Sequence, residues 1–169
     1  RTEMPSVIWP RAAAIVDAHR LAVGTFGTRY AIYDWIRDEW DIEGVSAGAA
    51  INAVILHDGD VCTVGDAGIV RKMGIACAEM GSLCNFLVSA GESLFTGGQL
   101  GILFNALTGK VLYQYHSPLN CGVSFIRNGE VHLAVGTYTG EILIFRDSGS
   151  GNAEFSEKIK VFGNAVKGL

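Results

Sequence analysis

Leu83 to His116 reads LCNFLVSAGESLFTGGQLGILFNALTGKVLYQYH. Four short apolar runs are parted by three turn signals. LCNFLV runs up to Ala90-Gly91, and SLFTG runs into Gly97-Gly98-Gln99-Leu100-Gly101. ILFNA then meets Thr108-Gly109, and KVLYQYH follows. Runs this short between glycine turns predict strands, since a helix needs about ten residues to present a stable face. Strands joined by tight turns predict one antiparallel sheet, a four-stranded meander.

The rest of the chain reads as further copies. In residues 119–147, Asn128-Gly129-Glu130 overlays Ala90-Gly91-Glu92, which sets Phe125 on Leu87, Val123 on Asn85 and Cys121 on Leu83. Residues 49–74 supply another copy, with Ile51, Ala53 and Ile55 alternating and Asp58-Gly59 as the first turn. The copy over 12–35 shares Leu21-Ala22-Val23-Gly24-Thr25 with Leu133-Ala134-Val135-Gly136-Thr137. A turn-opening glycine recurs at 24, 65, 97 and 136, with gaps of 41, 32 and 39 residues. Those gaps approach the roughly 40–45 residues of a propeller blade. The fold class expected is all-β: a partial β-propeller of about four four-stranded antiparallel blades, spanning approximately 11–43, 44–80, 81–116 and 117–161. Residues 162–169, FGNAVKGL, read as the start of a further blade. A generic antiparallel sandwich is the competing architecture. Helix competes only over 12–18 and 33–43, and an outer strand with a connecting loop is preferred for 36–45.

Composition narrows the function. The 169 residues suit one domain with a real core. A net charge of −4 with scattered Lys and Arg offers no footprint for nucleic acid. Every apolar run is broken well short of membrane-spanning length. Arg1 at the start, in place of Met, is expected of a fragment or a processed form. Cys62, Cys77, Cys84 and Cys121 form no CxxC pair and sit inside apolar runs. They are expected to be buried free thiols, not zinc ligands or disulfides, in a reducing cytoplasmic or nuclear compartment.

At this point the chain resembles the WD40-repeat family. Leu103-Phe104-Asn105-Ala106-Leu107-Thr108-Gly109-Lys110 is similar to that family's Trp-Asp and Thr-Gly-Lys segment, with Phe104-Asn105 for Trp-Asp. Tyr33, Met73 and Phe145 take the Trp slot in the other copies. No Trp-Asp dipeptide occurs, and no copy completes the family's His-Ser/Thr-Asp-Trp network. His116 and Asp66 could each fill one position of it. The resemblance implies a non-catalytic scaffold that binds protein or peptide partners through turns between the second and third strands. The overlay places Phe26, Gln99 and Tyr138 at corresponding turn positions, which makes them the candidate binding residues. Four blades bury their faces only against neighbours, so a larger propeller, a second copy or another chain is expected to complete the ring.

No catalytic or metal site is expected, and no cofactor. His19, His57, Asp17 and Asp58 read as solvated turn residues, and the acidic run Asp38, Glu39, Asp41 and Glu43 as a solvated loop. The Gly97–Gly101 loop precedes a strand, so no helix end is there to hold a phosphate. Ser148 to Asn152 reads as a flexible loop. One enzymatic alternative has a handle. Asn105 to Tyr113 resembles the tryptophan-docking motif of quinoprotein propellers, which use pyrroloquinoline quinone. The motif occurs once, and no vicinal cysteine pair accompanies it.

Overall fold

The structure, a computed structural model, describes residues 9–27, 29–45 and 49–169, with only the backbone described over 42–45. Arg1 and the side chain of Glu43 lie outside these. Among the described residues sixteen strands form four sheets, each a simple antiparallel meander. The first holds β1 (Pro10–Ile15), β2 (Arg20–Thr25), β3 (Arg29–Asp34) and β4 (Glu39–Val45). The second holds β5 (Ile51–His57), β6 (Asp60–Gly65), β7 (Ile69–Lys72) and β8 (Ile75–Glu79). The third holds β9 (Cys84–Ala90), β10 (Ser93–Gly98), β11 (Ile102–Asn105) and β12 (Val111–Gln114). The fourth holds β13 (Leu119–Arg127), β14 (Glu130–Thr137), β15 (Glu141–Gly149) and β16 (Asn152–Lys160). The architecture is all-β and propeller-like. Neither segment open to a helical reading is helical: 12–15 lie in β1 and run into a bend, and 33–43 is the end of β3, a turn over 35–38 and β4. Over β1 the alternation decides it: Ala12, Ala14 and Val16 pack on the core while Ile15 stands 69% exposed.

Ser148 to Asn152 is a tight hairpin, not a flexible loop. Ser150 and Gly151 both have positive φ, 52° and 73°. That is the two-residue geometry that suits the right-handed twist of paired strands. Gly151 is buried, and its carbonyl accepts from Asn105 Nδ2 at 2.9 Å, so the hairpin is anchored on blade 3.

The first strands β1, β5, β9 and β13 pack side by side, and three hydrophobic clusters fill the three blade interfaces. Among the described residues no cluster joins blade 4 to blade 1. The interfaces obey a volume rule. Gly24, Gly97 and Gly136 lie where a Cβ would stand 2.7, 2.9 and 2.8 Å from side-chain atoms of Ile51, Leu119 and Val166. A bulky residue at the start of each following first strand needs a glycine opposite. At the remaining interface the sizes trade places, with buried Val64 in the same cluster as Cys84. The pairing shows why. Ile51 pairs with Gly65, Cys84 with Gly98, Leu119 with Thr137 and Pro10 with Thr25. Gly65 therefore corresponds to Gly98, one residue beyond the recurring glycine, and the sequence overlay was out by one in blade 2.

The C-terminal segment follows the same scheme. Val166 is 3% exposed, packs on Gly136 as Leu119 packs on Gly97, and donates its N–H to Thr137 O at 3.0 Å.

Candidate functional site

The candidate site is one rim of the arc, where second strands turn into third strands. Four backbone hydrogen bonds define it. The N–H groups of Phe26, Asp66, Gln99 and Tyr138 donate to the carbonyls of Trp9, Ala50, Leu83 and Pro118, at 2.8, 3.0, 3.0 and 2.9 Å. Each acceptor directly precedes its blade's first strand, so the four positions are structurally equivalent. The structure thus places Phe26, Gln99 and Tyr138 at matching turns and adds Asp66. Phe26 and Tyr138 are each 55% exposed, and Gln99 is exposed. Phe26 lies 6.1 Å from the Trp9 ring, centroid to centroid, with the Arg11 guanidinium 5.5 Å from its own centroid. These contacts hold an aromatic on the surface at little entropic cost.

The turn carrying Tyr138 is tied down by charge. Glu141 accepts from the Thr137 hydroxyl at 2.8 Å and pairs with Lys160 at 2.8 Å, while Lys160 Nζ donates to Thr139 O at 2.6 Å. The Lys160 ammonium, then the Thr139 and Thr137 hydroxyls, pull the Glu141 carboxyl down from its ordinary 4.5 to about 2. A folded-state value below the unfolded one means stabilisation that is complete above about pH 4.5 and lost as pH falls toward 2. Lys160 is largely exposed, so solvent screens the pair to under about 1 kcal/mol. The Tm difference between the parent and Glu141→Gln is expected at pH 7 and should vanish near pH 2. A difference constant across that range would exclude the pair as its source.

Inside this rim lies a cavity of about 250 Å³ lined by Arg11, Asn52, Asn85, Asn120, Tyr138 and Lys167. Five of the six occupy one structural position, the second residue of successive first strands or, for Lys167, the residue after Val166. The asparagines form a ladder. Asn52 Nδ2 donates to Cys84 O at 3.0 Å, Asn85 Nδ2 to Leu119 O at 2.8 Å, and Asn120 Nδ2 to Val166 O at 3.2 Å. Each amide therefore clamps the start of the next first strand. Sequence overlay missed this because it matched hairpins. β13 has nine residues and β9 seven, and the turn that matches Asn128-Gly129 is Gly91-Glu92, so aligning Asn128-Gly129 on Ala90-Gly91 was out by three at the strand start and put Val123 on Asn85. Asn120 is the true counterpart. The signal was an apolar-polar dipeptide at each first strand: Pro10-Arg11, Ile51-Asn52, Cys84-Asn85, Leu119-Asn120 and Val166-Lys167.

His57 is not a solvated turn residue. It is 1% exposed, and its Nδ1 lies 2.8 Å from Ser89 Oγ across the interface between blades 2 and 3. Nε2 has no hydrogen-bond partner, with Asp58 Oδ2 3.4 Å away. The order carboxylate, imidazole, hydroxyl suggests nucleophilic chemistry, but a base needs its far nitrogen held by a hydrogen bond. The His57–Ser89 contact acts as a staple between blades. His116 is exposed against Tyr115, with ring centroids 4.2 Å apart. Asp66 Oδ1 accepts from Asn52 at 2.8 Å.

All four cysteines are free, but Cys77 is exposed on outer strand β8. The expectation of burial fails there because β8 is the outermost strand of its sheet. Burial pushes the Cys62 thiol up to about 11 and raises Cys84 and Cys121 as well, which leaves these three unreactive at neutral pH.

Asn105 serves packing. Its Oδ1 accepts from the N–H groups of Leu107 and Thr108 at 2.9 and 3.1 Å, closing the turn, as Asp34 does for Ile36 and Arg37. Lys110 donates to Asn152 at 2.8 Å, and Tyr113 stacks on Phe155 at 5.0 Å, so the segment docks blade 3 on blade 4.

The fold defines a partial β-propeller. In solved structures it is similar to two computationally designed proteins. One is Ika8, at 12% identity and TM-score 0.59, with 98% of this chain and 65% of that chain covered. The other is Ika4, at 13% identity and TM-score 0.57, with 95% and 94% covered. The chain thus spans about 65% of the length of Ika8. No family model and no curated protein matches the sequence. The WD40 resemblance is therefore corrected. No family model supports it, and the two solved structures named above are designed proteins. What the motifs reported was blade geometry. The Phe104-Asn105 turn falls two residues early, since β11 has four residues where β3 has six. Among the described residues no helix is long and apolar enough to cross a membrane, and no group of three or more metal-ligating side chains occurs.

Proposed function

We propose that this chain is a non-catalytic interaction module that takes a protein or peptide partner across the turn rim. The observation that carries the reading is the pair of half-exposed aromatics on equivalent turns, Tyr138 lining the cavity and Phe26 lying against Arg11, another of its lining residues. Exposed, preorganised aromatics are the usual anchors of interfaces, and truncating one costs about 2 kcal/mol or more of binding. Gln99 supplies a polar contact on the same rim. Free thiols fit an intracellular setting, cytoplasmic or nuclear.

Affinity capture tests it. Immobilised parent chain should retain a partner that the Phe26→Ala/Tyr138→Ala double variant loses by at least about tenfold. Both chains should unfold within about 0.5 kcal/mol of each other, since the side chains are on the surface. Equal capture would remove the rim from consideration.

A second reading, completion of the ring by a further copy or another chain, is favoured by the two terminal faces. Ile15 on blade 1 and Val123 on blade 4 point away from the packed interfaces and are 69% and 39% exposed. Light scattering on the same parent sample separates the two. A stable, non-aggregating monomer of 18.0 kDa would leave the rim reading alone.

A further inference from the structure

We infer that the cavity inside the rim is a binding site for a small phosphate-class dianion. The five-position ring of Arg11, Asn52, Asn85, Asn120 and Lys167 carries a cation at each end and amides between. Among the described residues no carboxylate forms an ion pair with Arg11 or Lys167. Two unneutralised cations on one cavity of about 250 Å³ repel one another, and a bound anion turns that repulsion into attraction.

The hydrogen-bonding inventory points the same way. Asn85 and Asn120 each use one amide N–H on the next strand's carbonyl, which leaves a second donor on each. The Tyr138 hydroxyl and the Arg11 fork add more. These donors come from strands around an axis, so they converge from several directions. That suits a tetrahedral oxyanion with four acceptor oxygens better than a planar carboxylate. Asn52 differs. Both its N–H groups are used, on Cys84 O and Asp66 Oδ1, and its own Oδ1 is buried without a partner. An acceptor on that side matches the hydroxyl of a monoprotonated phosphate. Asp66 sets an opposing charge a single hydrogen bond behind Asn52.

The site shares Tyr138 with the rim but needs no macromolecular partner, so its test is independent of the rim reading. The experiment is a titration of inorganic phosphate, followed by amide chemical shifts and by calorimetry, at ionic strength held constant with sodium chloride. A parallel titration uses acetate. Phosphate is expected to saturate below about 5 mM, shifting the amides of residues around 11, 85, 120 and 167, while acetate binds at least about tenfold more weakly. Arg11→Gln/Lys167→Gln, both at exposed positions, should weaken phosphate by at least about tenfold with an unchanged circular dichroism spectrum. Asp66→Asn should strengthen it by a few-fold. No saturable phosphate response, an equal response to acetate, or a folded double variant that binds like the parent would overturn the proposal.

Discussion

Gly98→Ala is expected to destabilise the chain by about 3 kcal/mol, although the substitution adds one methyl group to a strand. A Cβ at this position would stand 2.0 Å from Leu83 O and 2.7 Å from Cys84 Cα. Both are backbone atoms, so no side chain can swing aside. Leu83 O is also the acceptor of the Gln99 N–H at 3.0 Å, the bond that fixes the rim turn of blade 3. Relief of the clash must therefore open the turn or slide β9 along β10. The same clash recurs at its counterpart Gly65, where a Cβ would stand 1.8 Å from Ala50 O, while blades 1 and 4 carry Thr25 and Thr137 at the matching position; the register shifts here in all four blades, but only blades 2 and 3 bring the preceding carbonyl so close. Urea unfolding of Gly98→Ala against Gly163→Ala checks this. Gly163 has open space around its Cβ, so its substitution should fall within about 0.5 kcal/mol of the parent. Equal midpoints for the two variants would contradict the packing argument.

Phe145→Ala should cost about 3–5 kcal/mol. The ring is fully buried between blades 3 and 4, in the cluster with Leu103, Leu133 and Leu143. Its edge contacts reach Tyr113 at 5.2 Å and Phe155 at 5.8 Å. Those two rings stack on each other, so neither can turn inward to fill the void without giving up that contact. The melting temperature should fall by about 10 °C, at the roughly 2–4 °C per kcal/mol of a domain this size. Repeat architectures transmit stability only through neighbours, so hydrogen exchange should rise first in blade 4 and its interface with blade 3. Uniform loss of protection across all four blades would show a single cooperative unit instead.

How much of this was legible beforehand differs by level. The hairpins were, because Asp58-Gly59 and Asn128-Gly129 give positive φ where two-residue turns demand it, and Gly101 and Gly109 give it in the longer turns after β10 and β11. The rim positions Phe26, Gln99 and Tyr138 followed from the same turns. His57 was not legible, because residues beside a turn are usually solvated. Only the arrival of β9 from 32 residues away buries it against Ser89. Cys77 failed in the opposite sense, since an apolar run on an outer strand faces water. The Asn52, Asn85 and Asn120 ladder was hidden by strand length, which hairpin alignment cannot see.

The amino-acid sequence by itself determined the strands, their order within each sheet and the fourfold repetition. These rest on local hydrogen bonding and on alternation within a few residues. The tertiary structure decided which residue of one blade meets which of the next. That choice is set by side-chain volume across an interface, Gly24 against Ile51 and Val64 beside Cys84, and such sums involve residues far apart in the chain. From that register came the ring of cations and amides inside the rim, which no stretch of sequence displays alone.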